Sequence, residues 1–127
     1  MTKKLPFILF LMFAMGLVAQ TTNTVIIDWG HDSSPTASGD ENTNRTIEIG
    51  DTVKWVWNSG YHNVESKDAN ENFYSGAYEG TTSGTTFSHT FTSEGSNYYV
   101  CTPHANMYGT ITVVAEGALS TSEARRL

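Results

Sequence analysis

Cysteine, basic residues and helical periodicity are all scarce in this chain of 127 residues. A single cysteine excludes a disulfide within the chain. The absence of a sustained helical period and of internal repeats excludes helical bundles and repeat arrays. The length allows one domain with its own hydrophobic core and is too short for two.

The one long apolar run lies at the N-terminus and resembles a targeting segment. Lys3 and Lys4 precede the apolar stretch from Leu5 to Val18, and Leu17, Val18 and Ala19 lead to a plausible cleavage point at Ala19 or Gln20. This order is typical of a secretory signal peptide, and the stretch is short of the roughly 20 residues that span a bilayer. We therefore assign residues 1–20 to a signal peptide and expect a periplasmic or secreted protein. An uncleaved membrane anchor is the alternative.

Few positive charges remain after this segment. Past residue 20 there are 13 acidic and 5 basic side chains, a net charge of −8. An acidic surface argues against nucleic acid or an anionic membrane as a partner. It fits a soluble protein, expected to be a monomer, and is compatible with a cationic docking partner.

Short segments of alternating apolar and polar residues are typical of β-strands. They predict an all-β fold, an antiparallel Greek-key β-sandwich of about seven to eight strands, over residues 21–115. Residues 116–127 are expected to form a flexible tail. The predicted strands are Thr24–Trp29, Thr46–Ile49, Thr52–Trp57, Tyr61–Val64, Thr85–Phe91, Asn97–Cys101 and Tyr108–Val114. The predicted core is Ile47, Ile49, Val53, Trp55, Phe87, Phe91, Val100, Ile111 and Val113.

Two polar stretches interrupt the strands, Gly30–Asn44 and Ser66–Gly84. Their Gly, Ser and Asn content is typical of loops. We expect Phe73, Tyr74 and Tyr78 to anchor the second stretch to the body of the domain, through a helical turn.

Soft donor atoms cluster near the C-terminus. Cys101, His104 and Met107 lie within seven residues, and His62 is the candidate for a fourth ligand. Thiolate, imidazole and thioether suit copper better than magnesium, calcium or manganese. A lone cysteine in an exported protein is otherwise an inert buried thiol or an intermolecular disulfide. The spacing to His104 and Met107 favours the metal ligand.

Other interpretations of these residues compete with the metal site. His62 is alternatively a strand-end histidine, and Met107 a core residue. His89 shares a face with core residues and is expected to pack there. His31 lies in a polar loop and is given no metal role.

With these residues in this order, the chain resembles the cupredoxins of the plastocyanin/azurin family. The similarity covers Val25 to Val114, and the short spacing from cysteine to methionine is similar to that of amicyanin-like proteins. The matching segments, in order, are Ile49–Trp55, His62–Val64, Phe87–Phe91, Cys101–Met107 and Gly109–Ile111.

The resemblance implies a type 1 (blue) copper site. His62, Cys101 and His104 would surround one copper ion in a plane, with Met107 as a long, weak axial ligand. Such a site leaves no position for a substrate, so the expected function is single-electron transfer rather than catalysis. The expected partners are redox proteins, such as a cytochrome or a copper or haem oxidoreductase.

The resemblance also assigns supporting residues. Asn63 would tie the two ligand loops together, and Thr102 and Pro103 would shape the turn between Cys101 and His104. Electrons would leave through the edge of His104. The candidate residues for the surrounding docking patch are Tyr61, Pro103, Ala105 and Asn106.

Two further functions are compatible with the pattern. A copper-binding protein for periplasmic trafficking or tolerance would need an open, labile site, often rich in Met or His, whereas Met107 is the only methionine past residue 20. A sandwich domain without metal, serving adhesion, would leave the ordered Cys, His and Met residues unexplained.

Overall fold

Seven β-strands form the regular structure of the residues that the computed structural model describes, 21–33 and 42–119. Side chains along β1 and β3 alternate between exposed and buried, as expected for strands with one face on a core. The strands are β1 (Thr24–Trp29), β2 (Arg45–Glu48), β3 (Thr52–Trp57), β4 (Glu65–Lys67), β5 (Thr86–Thr90), β6 (Gly95–Cys101) and β7 (His104–Val114).

The strands form two sheets, one in the order β1-β3-β5 and one in the order β2-β7-β6-β4. The predicted all-β sandwich is confirmed, but its strand directions are mixed. β1 pairs with β3 and β2 pairs with β7 in parallel, while the other three pairs are antiparallel. The chain passes from the first sheet to the second and back between β1 and β3, so β3 returns in the direction of β1. Alternation within a strand carries no information about this direction.

The core lies between the sheets and is built around Trp55. Its ring packs against Phe73, Phe87 and Tyr99, with ring centroids 5.7, 5.7 and 5.2 Å away. The Tyr99 hydroxyl donates a hydrogen bond to the Thr43 carbonyl at 2.6 Å, which satisfies the polar end of this buried ring.

Most of the predicted core is confirmed. Ile49 and Phe87 are only partly buried, and the assignment of Val100 to the core is wrong. Tyr99 and Cys101 point inward along β6, so Val100 between them faces away from the core. The predicted core residues found buried are Ile47, Val53, Trp55, Phe91, Ile111 and Val113.

The segment after β3 differs from its prediction. A strand was expected from Tyr61, yet β4 begins only at Glu65. His62, Asn63 and Val64 are three consecutive buried residues, which the alternation of a strand does not permit. The segment is therefore a loop that turns two polar side chains inward.

The long polar stretch between β4 and β5 contains no helical turn, so that prediction is wrong. Phe73 is buried and anchors the stretch to the core, whereas Tyr74 is 57% exposed. The Ser66 amide donates to the Phe73 carbonyl at 3.0 Å and holds this anchor beside β4.

Several predictions fall outside the described residues. These are the signal peptide, residues 1–20, the centre of the first polar loop, residues 34–41, and the end of the tail, residues 120–127. Within residues 21–33 and 42–119, no helix has the length and hydropathy needed to cross a membrane.

Candidate metal centre

Three potential metal-binding atoms converge at one end of the sandwich. Cys101 Sγ lies 3.4 Å from His104 Nδ1 and 3.7 Å from His62 Nδ1. The two Nδ1 atoms are 3.1 Å apart. Cys101 ends β6, His104 begins β7, and His62 lies in the loop between β3 and β4.

These distances fit a single metal ion. Bonds of about 2.0 Å to imidazole and about 2.3 Å to thiolate place the donors of one ion roughly 3–4 Å apart. Cys101 and His62 are 1% and 0% exposed, so the cluster is closed to solvent on their side. One thiolate and two imidazoles form a soft donor set that suits copper.

A tight hairpin positions Cys101 and His104. These two residues pair across the turn formed by Thr102 and Pro103, and the β6–β7 register shifts between Val100 and Cys101. Such an irregularity re-aims side chains at the end of a ladder. It brings the thiol and the imidazole to the same point.

A hydroxyl that the sequence did not single out orients the ring of His62. Ser59 Oγ donates to Asn58 Oδ1 at 3.1 Å and lies 2.8 Å from His62 Nε2. When the Ser59 proton is donated to Asn58, Ser59 accepts the Nε2 proton of His62. The free lone pair of His62 is then on Nδ1, the atom that faces Cys101.

The backbone of His62 is held as firmly as its ring. Its carbonyl accepts the Trp57 indole N–H at 2.8 Å and the Thr81 hydroxyl at 3.1 Å, and its amide donates to Thr81 Oγ1 at 3.0 Å. The preceding Tyr61 has a φ of 60°, a left-handed conformation that turns the chain inward at this point. Sequence reasoning missed these three residues because their roles depend on how the chain turns after β3: Ser59 and Trp57 are close to His62 in sequence, and Thr81 reaches it from another loop.

Asn63 connects the two ligand loops. Its Oδ1 accepts the Thr102 amide at 2.8 Å, and its Nδ2 donates to Thr102 Oγ1 at 2.9 Å. The Thr102 hydroxyl donates in turn to Glu65 at 2.9 Å. The Trp29 indole donates to the Asn63 carbonyl at 3.0 Å, so β1 is tied to the same loop.

The remaining predicted site residues divide between interior and surface. Met107 lies on β7, is fully buried and belongs to the core cluster. Tyr61 is 64% exposed, and Pro103, Ala105 and Asn106 are exposed as well. Pro103, Ala105 and Asn106 are thus exposed on the hairpin that carries His104, and Tyr61 is exposed next to His62 in the chain.

The local environment favours the neutral form of each of these groups when no metal is bound. Burial, with the nearby His104 and His31, lowers the pKa of His62 to about 4. Burial and His31 also lower the pKa of His104. Burial raises the pKa of the Cys101 thiol, so metal binding has to displace a proton from sulfur.

His31 is the site residue that the sequence analysis did not assign. Its ring centroid lies 4.2 Å from that of His104 and 5.0 Å from that of His62. Candidate ligand atoms of the three histidines all lie within 4.8 Å of one another. No local pattern in the sequence marks His31: it joins the site because β1 and β3 are parallel, so the residues after both strands lie at the same sheet edge.

His89 is separate from this cluster. It lies on β5, stacks on Phe73 at 5.0 Å and is 3.4 Å from a Glu71 carboxylate oxygen. It is a packed strand histidine, as expected.

Comparison with known families finds the same type of protein. The sequence model of the family described as copper binding proteins, plastocyanin/azurin family, matches residues 40–114. A halocyanin from Natronomonas pharaonis is 40% identical over 71 residues, which are 53% of this chain and 43% of that protein. The match thus spans less than half the length of that relative.

Solved structures agree with this family. A novel purple cupredoxin from Nitrosopumilus maritimus is 31% identical, with a TM-score of 0.56 over 72% of this chain and 99% of its own. A mutant amicyanin in the Cu(I) form is 25% identical, with a TM-score of 0.53 over 72% of this chain and 82% of its own.

Proposed function

Because this chain belongs to the plastocyanin/azurin family of copper-binding proteins, with copper as its cofactor, we propose that it is a type 1 copper protein. It carries single electrons between redox proteins and is not an enzyme. His62, Cys101 and His104 hold the ion, and Met107 is the weak fourth ligand. The observation that carries the proposal is the convergence of one thiol and two Nδ1 atoms within 3.1–3.7 Å.

Bound copper supplies a one-electron couple between Cu(II) and Cu(I). The chain contributes a donor set whose geometry is fixed in advance. Ser59 fixes the tautomer of His62, and the paired hydrogen bonds of Asn63 and Thr102 lock one ligand loop against the other. A site that is held in this way changes little when its charge changes, which favours electron transfer.

Electrons would enter and leave at the exposed end of the sandwich that carries His104. Tyr61, Pro103, Ala105 and Asn106 form the docking patch in this proposal. The net charge of −8 past residue 20 favours a redox partner with a basic surface. The signal-like N-terminus supports export to the periplasm or beyond.

The test is the visible spectrum of the purified protein with added Cu(II). An intense band from thiolate-to-copper charge transfer is expected, and Cys101→Ser should abolish it. A colourless complex, or colour that persists in Cys101→Ser, would overturn the type 1 assignment.

A second measurement separates electron transfer from copper delivery. The copper-loaded protein is mixed with a small redox protein, and in parallel with a copper chelator. Rapid electron exchange with slow copper release is the expected result. Fast release without exchange would instead identify a trafficking protein.

A further inference from the structure

We propose that His31 supplies a third imidazole to the copper centre, from the side that faces solvent. This inference rests on the proposed function, since it adds a ligand to the site of His62, Cys101 and His104. The family resemblance assigns no role to a residue at this position, and the loop after β1 lies far from the other ligands in sequence.

The arrangement of the three rings supports a shared centre. The ring centroids of His62 and His104 are 4.9 Å apart, and those of His31 lie 5.0 and 4.2 Å from them. Each pair meets edge to face, at 67°, 82° and 67°. The distance and angle between His31 and each proposed ligand ring are therefore similar to those between the two ligand rings themselves.

The ligand atoms are close enough to bind one ion with a small adjustment. Candidate nitrogens of His31, His62 and His104 lie within 4.8 Å of one another. Two nitrogens bound at about 2.0–2.1 Å are at most about 4.2 Å apart, so a closure of less than about 1 Å suffices. The side chain of His31 is exposed and has room for this movement.

A turn within its own loop and contacts from two other elements hold the backbone of His31 in place. The Asn106 side chain, on β7, donates to the His31 carbonyl at 2.9 Å. The Ser33 amide donates to the Gly30 carbonyl at 3.1 Å and closes the turn around His31. Gly30 packs against Asn58, where any Cβ would collide with the amide side chain. The loop is thus built against the same Asn58 whose side chain accepts the Ser59 hydroxyl proton.

A third imidazole has a defined chemical effect. Imidazole nitrogen stabilises Cu(II), whereas the thioether of Met107 stabilises Cu(I), so His31 should lower the reduction potential. Met107 is buried in the core and His31 is exposed, so the two donors reach the site from the interior and from solvent. The exposed His31 also packs against the His104 ring and becomes part of the surface that a redox partner meets.

Pulsed EPR of the Cu(II) protein tests this by counting coordinated imidazoles through their remote nitrogens. Three are expected in the unchanged protein and two in His31→Ala. His89→Ala is the matched control, because His89 lies outside the site, and it should keep three. Added imidazole should restore the third signal in His31→Ala, and the reduction potential of that variant should be higher than that of the unchanged protein.

Two imidazoles in the unchanged protein, with an identical spectrum in His31→Ala, would overturn the role of His31. If the thiolate band is present in that case, the type 1 assignment still stands. If the band is absent from the unchanged protein, the proposed function itself fails, whatever the imidazole count.

Discussion

Trp29 lies opposite Trp57, at the ends of two parallel strands. Because β1 and β3 run in the same direction, the chain leaves both at the same edge of the sheet. His31 follows the first strand and His62 follows the second, and this is how two residues that are 31 positions apart come to share one site. The two indoles strengthen the relationship, since Trp29 donates to the Asn63 carbonyl and Trp57 to the His62 carbonyl.

Ser59→Ala should weaken copper binding without unfolding the protein. The change removes the acceptor that holds the Nε2 proton of His62, so the ring loses its fixed tautomer and orientation. Loss of such an outer contact typically lowers metal affinity 10–100-fold. Competition titration with a chelator measures the effect. Ser88→Ala, an exposed serine on β5, is the control and should bind normally. Equal affinities would show that Ser59 does not orient the ligand.

Asn63→Ala should reduce both stability and the uniformity of the copper site. Its two hydrogen bonds to Thr102 are lost, and the Thr102 amide is left without its partner. Each lost hydrogen bond is worth about 0.5–1.5 kcal/mol. Urea unfolding measures the stability, and the width of the Cu(II) EPR lines reports the spread of site geometries. Asn72→Ala, at an exposed loop position, should change neither.

Substitutions at Met107 separate a ligand from a core residue. Met107→Ala leaves a cavity at a fully buried position and should cost about 2–5 kcal/mol. Met107→Leu keeps the volume and should cost less than about 1.5 kcal/mol. If the thioether contacts copper, both variants should shift the absorption spectrum and reduction potential. A normal spectrum and potential in Met107→Leu would assign Met107 to packing alone.

The copper-free protein should lose stability as the pH falls from about 6.5 to about 4. The pKa of His62 is lowered to about 4 in the folded chain, against its ordinary 6.5. Within this window the unfolded chain binds a proton that the folded chain does not, so protons favour unfolding. The lowered pKa of His104 acts in the same direction.

Urea unfolding of the copper-free protein at pH 7.5 and pH 4.5 measures this effect. Carboxylates add to the pH dependence of any protein, so the comparison with variants is decisive. His62→Gln should show a smaller difference between the two pH values, and Ser88→Ala, which removes no titratable group, should keep the full difference. An unchanged difference in His62→Gln would mean that the His62 ring is not the sensitive group.

Much of the fold was predictable because its signals are local. β-Branched and aromatic content identified β1, and alternation identified β3, residue for residue. Six of the nine predicted core residues are buried. The prediction that Val100 is buried was wrong because Tyr99 and Cys101 occupy the inner face of β6. In hydrophobicity these two residues do not stand out above Val100. The prediction of a strand from Tyr61 to Val64 was wrong because a loop with consecutive buried residues resembles the end of a strand in sequence.

The sequence by itself determined the chemistry of the site. The only cysteine, a histidine three residues later and a methionine three beyond that specify a soft donor set, wherever the chain places them. Alternating strands without helical periodicity determined the all-β class.

Only the tertiary structure decided which distant residues join that set. The parallel pairing of β1 with β3 brings His31 beside His62, and the hydrogen bonds between Asn63 and Thr102 join two ligand loops that are far apart in sequence. Strand direction and hydrogen bonds between loops depend on packing across the whole domain, so no local pattern in the sequence encodes them.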